Sequence, residues 1–179
     1  MEEKMPEFTL PFTGEYGYVE GEVCILAVST APIKKFRFKI DTASSLTYLF
    51  DKDFISLCEA LGCPYRKCPD VINWIHLHPN LFAKEKKPRV SPGGILEHVF
   101  CIKQSYLRLL DSAGNPPQGW GYHSTLWGTF STLFLSPPKN EDENKLYPPF
   151  HISLLGVDKL NELHRFVWAY PRNRITLTR

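Results

Sequence analysis

The stretch 36–49, FRFKIDTASSLTYL, constrains this chain more than any other part of it. Apolar Phe36, Phe38 and Ile40 alternate with basic residues, which is the period-two pattern of a half-buried β-strand. The strand runs directly into Asp41-Thr42-Ala43-Ser44, so a carboxylate follows an apolar strand and is itself followed by small and hydroxyl residues. On these residues alone, the favoured interpretation is an ordinary strand followed by an Asx or Ser/Thr turn.

Composition limits the class of protein. With 179 residues, of which 43% are hydrophobic and 22% charged, the chain has the size and composition of one globular domain, 1–179. A net charge of +2 is too small to predict nucleic acid or acidic lipid as a partner. The sequence has no apolar run long enough to span a bilayer, and the N-terminal MEEKMPEF lacks the apolar region of a signal peptide. We therefore expect a cytoplasmic protein with no membrane partner and with reduced cysteines.

The first third predicts strands and one helix. Two strand-like runs, 8–10 and 23–28, are joined by a glycine-rich segment, which predicts a hairpin or meander. The sequence DKDFISLCEALG then predicts a short helix, because its apolar residues recur at helical spacing. Asp51 or Asp53 is expected to cap the start of this helix, and Gly62 to end it.

The middle of the chain is less regular. Residues 63–90 are predicted to form an irregular insertion, and 98–110 a strand that ends in a turn at 111–115. A further strand is predicted at 129–136, and a polar loop at 137–147.

The last third predicts a strand, a helix and a hairpin. An apolar strand at 151–155 precedes Gly156, and a short helix follows with Val157, Leu160 and Leu163 on one face. Strands at 166–170 and 175–177 then predict a hairpin. A plain β-α-β core is the alternative interpretation of this segment.

Taken together, these segments resemble the retropepsin-like aspartic proteases. The matching pieces follow one another in the family's order as FKIDTASSLTYL, ISLCEALG, SPGGILEHV, ISLLGVDKL and FVWAYPRNRITL, and the resemblance covers most of 20–179. It implies a mostly β, single-domain, retropepsin-like closed fold, with one short helix after the Asp loop and one after Leu-Leu-Gly. It also implies an aspartic endopeptidase that needs no cofactor and no metal.

The resemblance assigns roles to individual residues. Asp41 matches the catalytic aspartate, and Thr42 matches the threonine whose hydroxyl crosses the dimer axis to brace the partner loop. Ala43 stands where the family has glycine, whose backbone N–H supports the carboxylate. Ser44 matches the small residue that could hydrogen-bond the outer carboxylate oxygen. A flexible flap that closes over substrate is matched by Ser91, Pro92, Gly93 and Gly94.

The chemistry of such a site requires two carboxyl groups. One carboxylate activates a water while a second carboxyl donates a proton, and two carboxyls about 3 Å apart share one proton. The chain offers one convincing motif, because Asp111-Ser112-Ala113-Gly114 is better interpreted as a turn. The resemblance therefore implies a homodimer, with one Asp41 from each protomer, acting on a peptide or protein substrate.

Two other hypotheses stay open. Ala43 in the glycine position favours a catalytically weak or inactive module of the same fold, which binds peptides or mediates assembly. A plain β-rich protein without protease ancestry is the other.

Cysteines and histidines in and near the insertion suggest a zinc site as an alternative interpretation. Its candidate ligands are Cys58, Cys63, Cys68, His76 and His78. Four residues lie between successive cysteines and one between the histidines, which differs from the usual spacing of structural zinc sites. We therefore predict unligated thiols and no metal.

Overall fold

The computed structural model describes most of the chain. The described residues are 7–11, 17–87, 89–91, 94–96, 98–111, 113–116, 123–130, 152–162, 165–169 and 174–178. The predicted polar loop at 137–147 and most of the predicted strand at 129–136 lie outside them.

Twelve strands and three short helices make up this part of the chain. The strands are Glu7–Pro11 (β1), Tyr18–Ile25 (β2), Lys34–Ile40 (β3), Tyr48–Phe50 (β4), Phe82–Lys84 (β5), Arg89–Ser91 (β6), Gly94–Leu96 (β7), Val99–Leu110 (β8), His123–Thr129 (β9), Leu154–Leu155 (β10), Arg165–Ala169 (β11) and Arg174–Thr178 (β12). The helices are Asp51–Ala60 (α1), Cys68–His76 (α2) and Val157–Leu160 (α3).

Six of the strands close into a barrel. They pair in the order β2-β3-β10-β4-β9-β8, and β8 pairs again with β2, while β5 is added outside β8. The prediction of a mostly β closed fold is therefore confirmed, with α1 after the Asp loop and α3 after Leu-Leu-Gly. Closure leaves the six barrel strands without free edges.

Strand β10 has an unusual position in this barrel. It lies between β3 and β4, which are consecutive in the chain, and pairs parallel with β3 and antiparallel with β4. The loop 41–47 must therefore bridge two strands that are not neighbours, and it passes over the end of β10. It is this crossing that places Asp41 beside the Leu-Leu-Gly segment.

The core follows from the alternation in β3. Phe36, Phe38 and Ile40 are buried, and Arg37 between them is exposed. Burial of each such aromatic or branched side chain contributes about 1.5–3 kcal/mol. Helix α1 packs on the barrel through Phe54. A Cβ atom added to Gly128 would stand only 2.3 Å from the Phe54 ring, so a larger residue would not fit there. Gly128 thus allows α1 to approach β9 closely.

The two ends of the chain form a separate sheet of three strands in the order β1-β12-β11. The predicted hairpin of β11 and β12 is confirmed, with Arg165 opposite Thr178. The prediction that the first two strands pair is wrong, because β1 pairs with β12 and β2 with β3 and β8. No helix among the described residues combines the length and apolar character needed to cross a membrane.

Several local predictions need correction. The insertion 63–90 is not irregular throughout, because α2 occupies its middle and buries Val71, Trp74 and Ile75. These residues stand at positions i, i+3 and i+4, as in an amphipathic helix. The strand that begins at Tyr18 includes part of the predicted glycine-rich connection.

The predicted ends of the remaining elements differ in detail. Neither Asp51 nor Asp53 caps α1, whose N-cap is Phe50 without a side-chain hydrogen bond. Gly62 follows the helix with a φ of 101°, as its predicted role requires. Strand β10 is shorter than predicted, although the Ser153 carbonyl still accepts a hydrogen bond from the Lys39 N–H.

Candidate active site

Asp41 lies at the end of the barrel strand β3, where the chain turns. Its backbone N–H donates to the Leu155 carbonyl oxygen at 3.0 Å, so the pairing with β10 continues one residue past the strand. Its carboxylate Oδ1 accepts the Ala43 N–H at 2.9 Å, and its carbonyl accepts the Ser44 N–H at 3.2 Å. The side chain is partly exposed. Among the described residues, this carboxylate accepts only the Ala43 N–H.

Ala43 occupies its position without backbone strain. The described non-glycine residues with positive φ are Asp51, Gln104 and Thr125, and Ala43 is not one of them. Its side chain is exposed, and its N–H is the donor to Asp41. An alanine therefore supplies the same backbone donor that a glycine would at this position.

Ser44 does not make the contact predicted for it. Its side chain is 7% exposed, and its hydroxyl donates to the Leu46 carbonyl at 2.8 Å. A hydroxyl has one proton to donate, so it cannot donate to the Asp41 carboxylate at the same time. Ser44 instead closes the loop on itself, while the exposed Thr42 precedes it at the surface.

The segment after β10 supports the loop from below. The Val157 N–H donates to the Ser44 carbonyl at 2.8 Å, and the Gly156 N–H donates to Thr47 Oγ1 at 3.0 Å. Thr47 is fully buried and donates in turn to Asp158 Oδ1 at 2.8 Å. The Asp41 loop is thus held at three points by one short stretch of chain.

Gly156 is required by the closeness of this contact. A Cβ at this position would stand 2.1 Å from the Leu46 carbonyl oxygen and 2.8 Å from that of Ser44. Both are backbone atoms that cannot move aside like a flexible side chain. The glycine of Leu-Leu-Gly therefore allows the loop and α3 to touch.

The supporting roles of Thr47 and Asp158 were not predicted from the sequence. The Leu-Leu-Gly-X-Asp pattern pointed to the segment but not to its contacts. A hydroxyl residue that directly precedes an apolar strand, as Thr47 precedes β4, is a weak indication that it binds something buried.

The described residues of the Asp-Ser-Ala-Gly sequence at 111–114 form the predicted turn. Asp111 Oδ1 accepts the N–H groups of Ala113 and Asn115, both at 2.9 Å. Its carbonyl accepts the Gly114 N–H at 2.9 Å, and Gly114 has a φ of 81°. Every one of these contacts lies within the turn.

Two of the flap candidates, Ser91 and Gly94, stand opposite each other where two short strands meet. In the part of the chain that the structure describes, these strands, β6 and β7, pair only with each other. Pro92 and Gly93, which connect them in the sequence, lie outside the described residues.

The cysteines proposed as zinc ligands are buried in the core, and His78 packs against an aromatic ring. Cys58, Cys63 and Cys68 are buried, and burial raises the pKa of all three thiols, that of Cys68 to about 12 with a smaller contribution from the Asp51 charge. The His78 ring stacks on Trp74 at 4.1 Å. In the described part of the chain, no group of three or more histidine, cysteine or acidic side chains is placed to hold a metal ion.

Solved structures include a chain similar to this one. It is a crystal structure of a retropepsin-like aspartic protease from Rickettsia conorii, with a TM-score of 0.46 and 14% sequence identity, over 98% of this chain and 92% of that one. No family model matches the sequence. No curated protein matches it either.

Proposed function

We propose that this protein is an aspartic endopeptidase that hydrolyses peptide bonds as a homodimer, with one Asp41 carboxyl group from each protomer. The observation that carries the proposal is the construction of the Asp41 loop. A partly exposed carboxylate ends a barrel strand, accepts the Ala43 N–H, and sits on a loop that the backbone of Leu155 and Val157 holds in place. A group that performs acid-base chemistry needs this combination of access and fixed position.

The reaction uses one proton shared between the two carboxyl groups. One Asp41 carboxylate takes a proton from a water molecule as the water oxygen bonds to the peptide carbonyl carbon, and the other Asp41 gives its proton to the carbonyl oxygen. The tetrahedral species then gives one hydroxyl proton back to the second Asp41 as its carbonyl re-forms and the C–N bond breaks. The leaving nitrogen receives the proton that the first Asp41 took from the water. The pair ends with one proton, as it began.

The dimer is proposed because the second carboxyl must come from elsewhere. The other candidate in the sequence, Asp111, is committed to its own turn through two N–H groups. A two-fold axis beside the Asp41 loop brings the two copies of Asp41 together. Thr42 is exposed on the same loop and is proposed to brace the loop of the other protomer.

Substrate access is assigned to the hairpin of β6 and β7. Ser91 and Gly94 stand opposite each other in it, and among the described residues β6 and β7 form a sheet of their own, paired with no barrel strand. We propose that it closes over an extended peptide and excludes water from the reacting atoms.

A module that binds peptides without cleaving them is the second candidate. Ala43 favours it, since its methyl group would lie beside the carboxyl pair in the dimer. Against it, the Ala43 backbone is unstrained and its N–H already donates to the Asp41 carboxylate.

The first test is cleavage of a mixed peptide library between about pH 3 and 7, the range in which a coupled carboxyl pair holds one proton. We expect cleavage with a bell-shaped pH dependence. Pepstatin, an inhibitor of aspartic proteases, should suppress this cleavage. A protein that sediments as a dimer and cleaves nothing at any pH would favour the non-catalytic module.

The shared site has its own test. Wild-type and Asp41→Asn chains with different affinity tags can be co-expressed and the mixed dimer purified. A site built from both protomers predicts a mixed dimer with almost no activity. About half of the wild-type activity would instead mean that each protomer works alone.

A further inference from the structure

Lys159 is a buried cation, whereas lysine side chains are mostly exposed in folded proteins. Its side chain is 3% exposed. The ammonium group donates to the carbonyl oxygen of Ser124 and to that of Thr125, the latter at 2.7 Å, and lies 3.5 Å from Asp158 Oδ2. Lysines are rarely buried unless every proton finds a partner, and here three oxygens surround the charge.

The two carbonyls belong to an irregular part of the barrel. The pairing of β8 with β9 shifts register between Ile102 and Tyr106. Two residues in this region, Gln104 and Thr125, have positive φ values of 52° and 63°. A β-branched residue such as Thr125 adopts this conformation only where its surroundings compensate for the strain. The Lys159 ammonium supplies one such compensation, because it binds the carbonyl of Thr125 itself.

The helix that carries Lys159 also carries the support of the Asp41 loop. Val157 holds the Ser44 carbonyl, and Asp158 accepts the Thr47 hydroxyl. Thr47 is bound to β9 as well, since its carbonyl accepts the Trp127 N–H at 3.1 Å. A closed circuit of polar contacts therefore runs from β9 through Thr47, Asp158 and Lys159 back to β9.

We propose that Lys159 is a positioning residue for the reaction, an inference that rests on the proposed function. Its ammonium fixes α3 against the irregular part of β9, and α3 in turn fixes the Asp41 loop. Because Gly156 touches the loop backbone without free space, any displacement of α3 reaches the loop directly. Misplacement of a catalytic group by about 1 Å lowers rates by roughly 10²-fold.

The test replaces Lys159 with methionine and compares it with Lys103→Met. Lys103 is exposed, and its ammonium also donates to a carbonyl, that of Pro79 at 2.6 Å, so it loses the same kind of contact. We expect Lys159→Met to lower kcat by about 10- to 100-fold and to leave KM within about twofold, since substrate contacts are unchanged. Lys103→Met should change neither constant.

A readout that does not depend on activity separates this inference from the proposed function. In Lys159→Met, we expect amide hydrogen exchange at Asp41, Gly156 and Val157 to be at least about tenfold faster, while the amides between β2 and β8 keep their protection. Unchanged exchange at those three amides would overturn the role of Lys159 whether or not the wild-type protein cleaves peptides. A wild-type protein without activity would overturn the function alone.

If Lys159→Met does not fold, hydrogen exchange of the wild-type protein tests whether α3, β9 and the Asp41 loop are coupled. Under increasing denaturant, the amides of Asp41, Val157 and Leu126 should exchange through one common opening if α3, β9 and the loop are coupled. Separate openings for Leu126 and Asp41 would overturn the inference.

Discussion

The Asp41 loop and the Asp111 turn begin with the same local chemistry and differ in what surrounds them. Each aspartate follows a strand of the barrel, and each Oδ1 accepts the N–H of the alanine two residues later at 2.9 Å. The Asp111 turn then closes on itself, with an Asn115 N–H on the same oxygen. The Asp41 loop closes on another part of the chain, through Leu155 and Val157.

This difference separates a turn from a candidate catalytic site. The Asp111 carboxylate accepts its hydrogen bonds from residues of its own five-residue turn. Contacts with distant parts of the chain therefore do not fix its direction relative to a second carboxyl group. The Asp41 carboxylate uses one local N–H, and the direction of its loop is set by the segment after β10. The four predictions that follow test whether support from distant residues is what gives Asp41 its function.

The largest expected effect is that of Asp41→Asn. An amide cannot take a proton from water, so we expect peptide cleavage to fall by roughly 10³-fold or more. Asp111→Asn is the matched control and should retain wild-type activity, because its side chain only organises a turn. Sedimentation should show that both variants remain dimers. Residual cleavage by pure Asp41→Asn protein would rule out Asp41 as the catalytic group.

The next effect concerns two glycines, Gly156, which contacts the Asp41 loop, and Gly114, which lies in the Asp111 turn. Gly156→Ala places a methyl group 2.1 Å from a backbone oxygen, and we expect it to lower the free energy of unfolding by about 3 kcal/mol or more. In Gly114→Ala the nearest atom is the flexible Lys35 Nζ at 3.4 Å, so only the left-handed backbone costs energy, roughly 1–2 kcal/mol. Urea unfolding measures both variants. Equal losses would contradict the close contact at Gly156.

A smaller effect is expected at the polar support itself. Thr47→Val keeps the shape of a fully buried side chain but removes one hydrogen-bond donor to Asp158 and the acceptor of the Gly156 N–H. Asp158 Oδ1 keeps the Lys159 N–H, so the cost comes mainly from the Gly156 N–H left without its acceptor, about 1–3 kcal/mol. Asp111→Ala removes the polar support of the other turn, which is partly exposed, and should cost about 1 kcal/mol. We expect a loss of cleavage in Thr47→Val only, and unchanged cleavage there would separate loop support from catalysis.

The smallest effect is that of the alanines. Ala43→Gly and Ala113→Gly should each lower the free energy of unfolding by about 0.4–1 kcal/mol, since glycine gains entropy in the unfolded chain. Only Ala43→Gly should raise kcat, because only its methyl group would lie beside a carboxyl pair. Single-turnover cleavage is the measurement, and a lower rate in Ala43→Gly would show that the methyl group does not limit activity.

The sequence predicted most where the pattern is local. The alternation that leads to Asp41, the left-handed Gly62 and the Asp111 turn all depend on residues close in the chain. Helix α2 was not predicted although Val71, Trp74 and Ile75 have helical spacing, because a segment of nine residues contains too few repeats of that spacing to identify a helix.

The long-range contacts could not be predicted in the same way. Strand β1 pairs with β12, which is far from it in the sequence, and no residue pattern in β1 identifies β12 as its pairing strand. Lys159 is held by backbone carbonyls, which every residue has, so no sequence pattern marks their position. Ser44 has the predicted residue type, yet its hydroxyl turns to Leu46 because the loop bends toward α3.

Because β10 comes late in the sequence, the Asp41 loop can reach its supported conformation only late in synthesis and folding. Thr47 and Gly156, which hold the loop together, lie 109 residues apart. A chain emerging from the ribosome completes β3 and the Asp41 loop early, but their support arrives only after Leu155 has been synthesised. Distant contacts of this kind form late in folding. A nascent chain that has not yet reached Leu155 therefore carries Asp41 without the contacts that hold its loop.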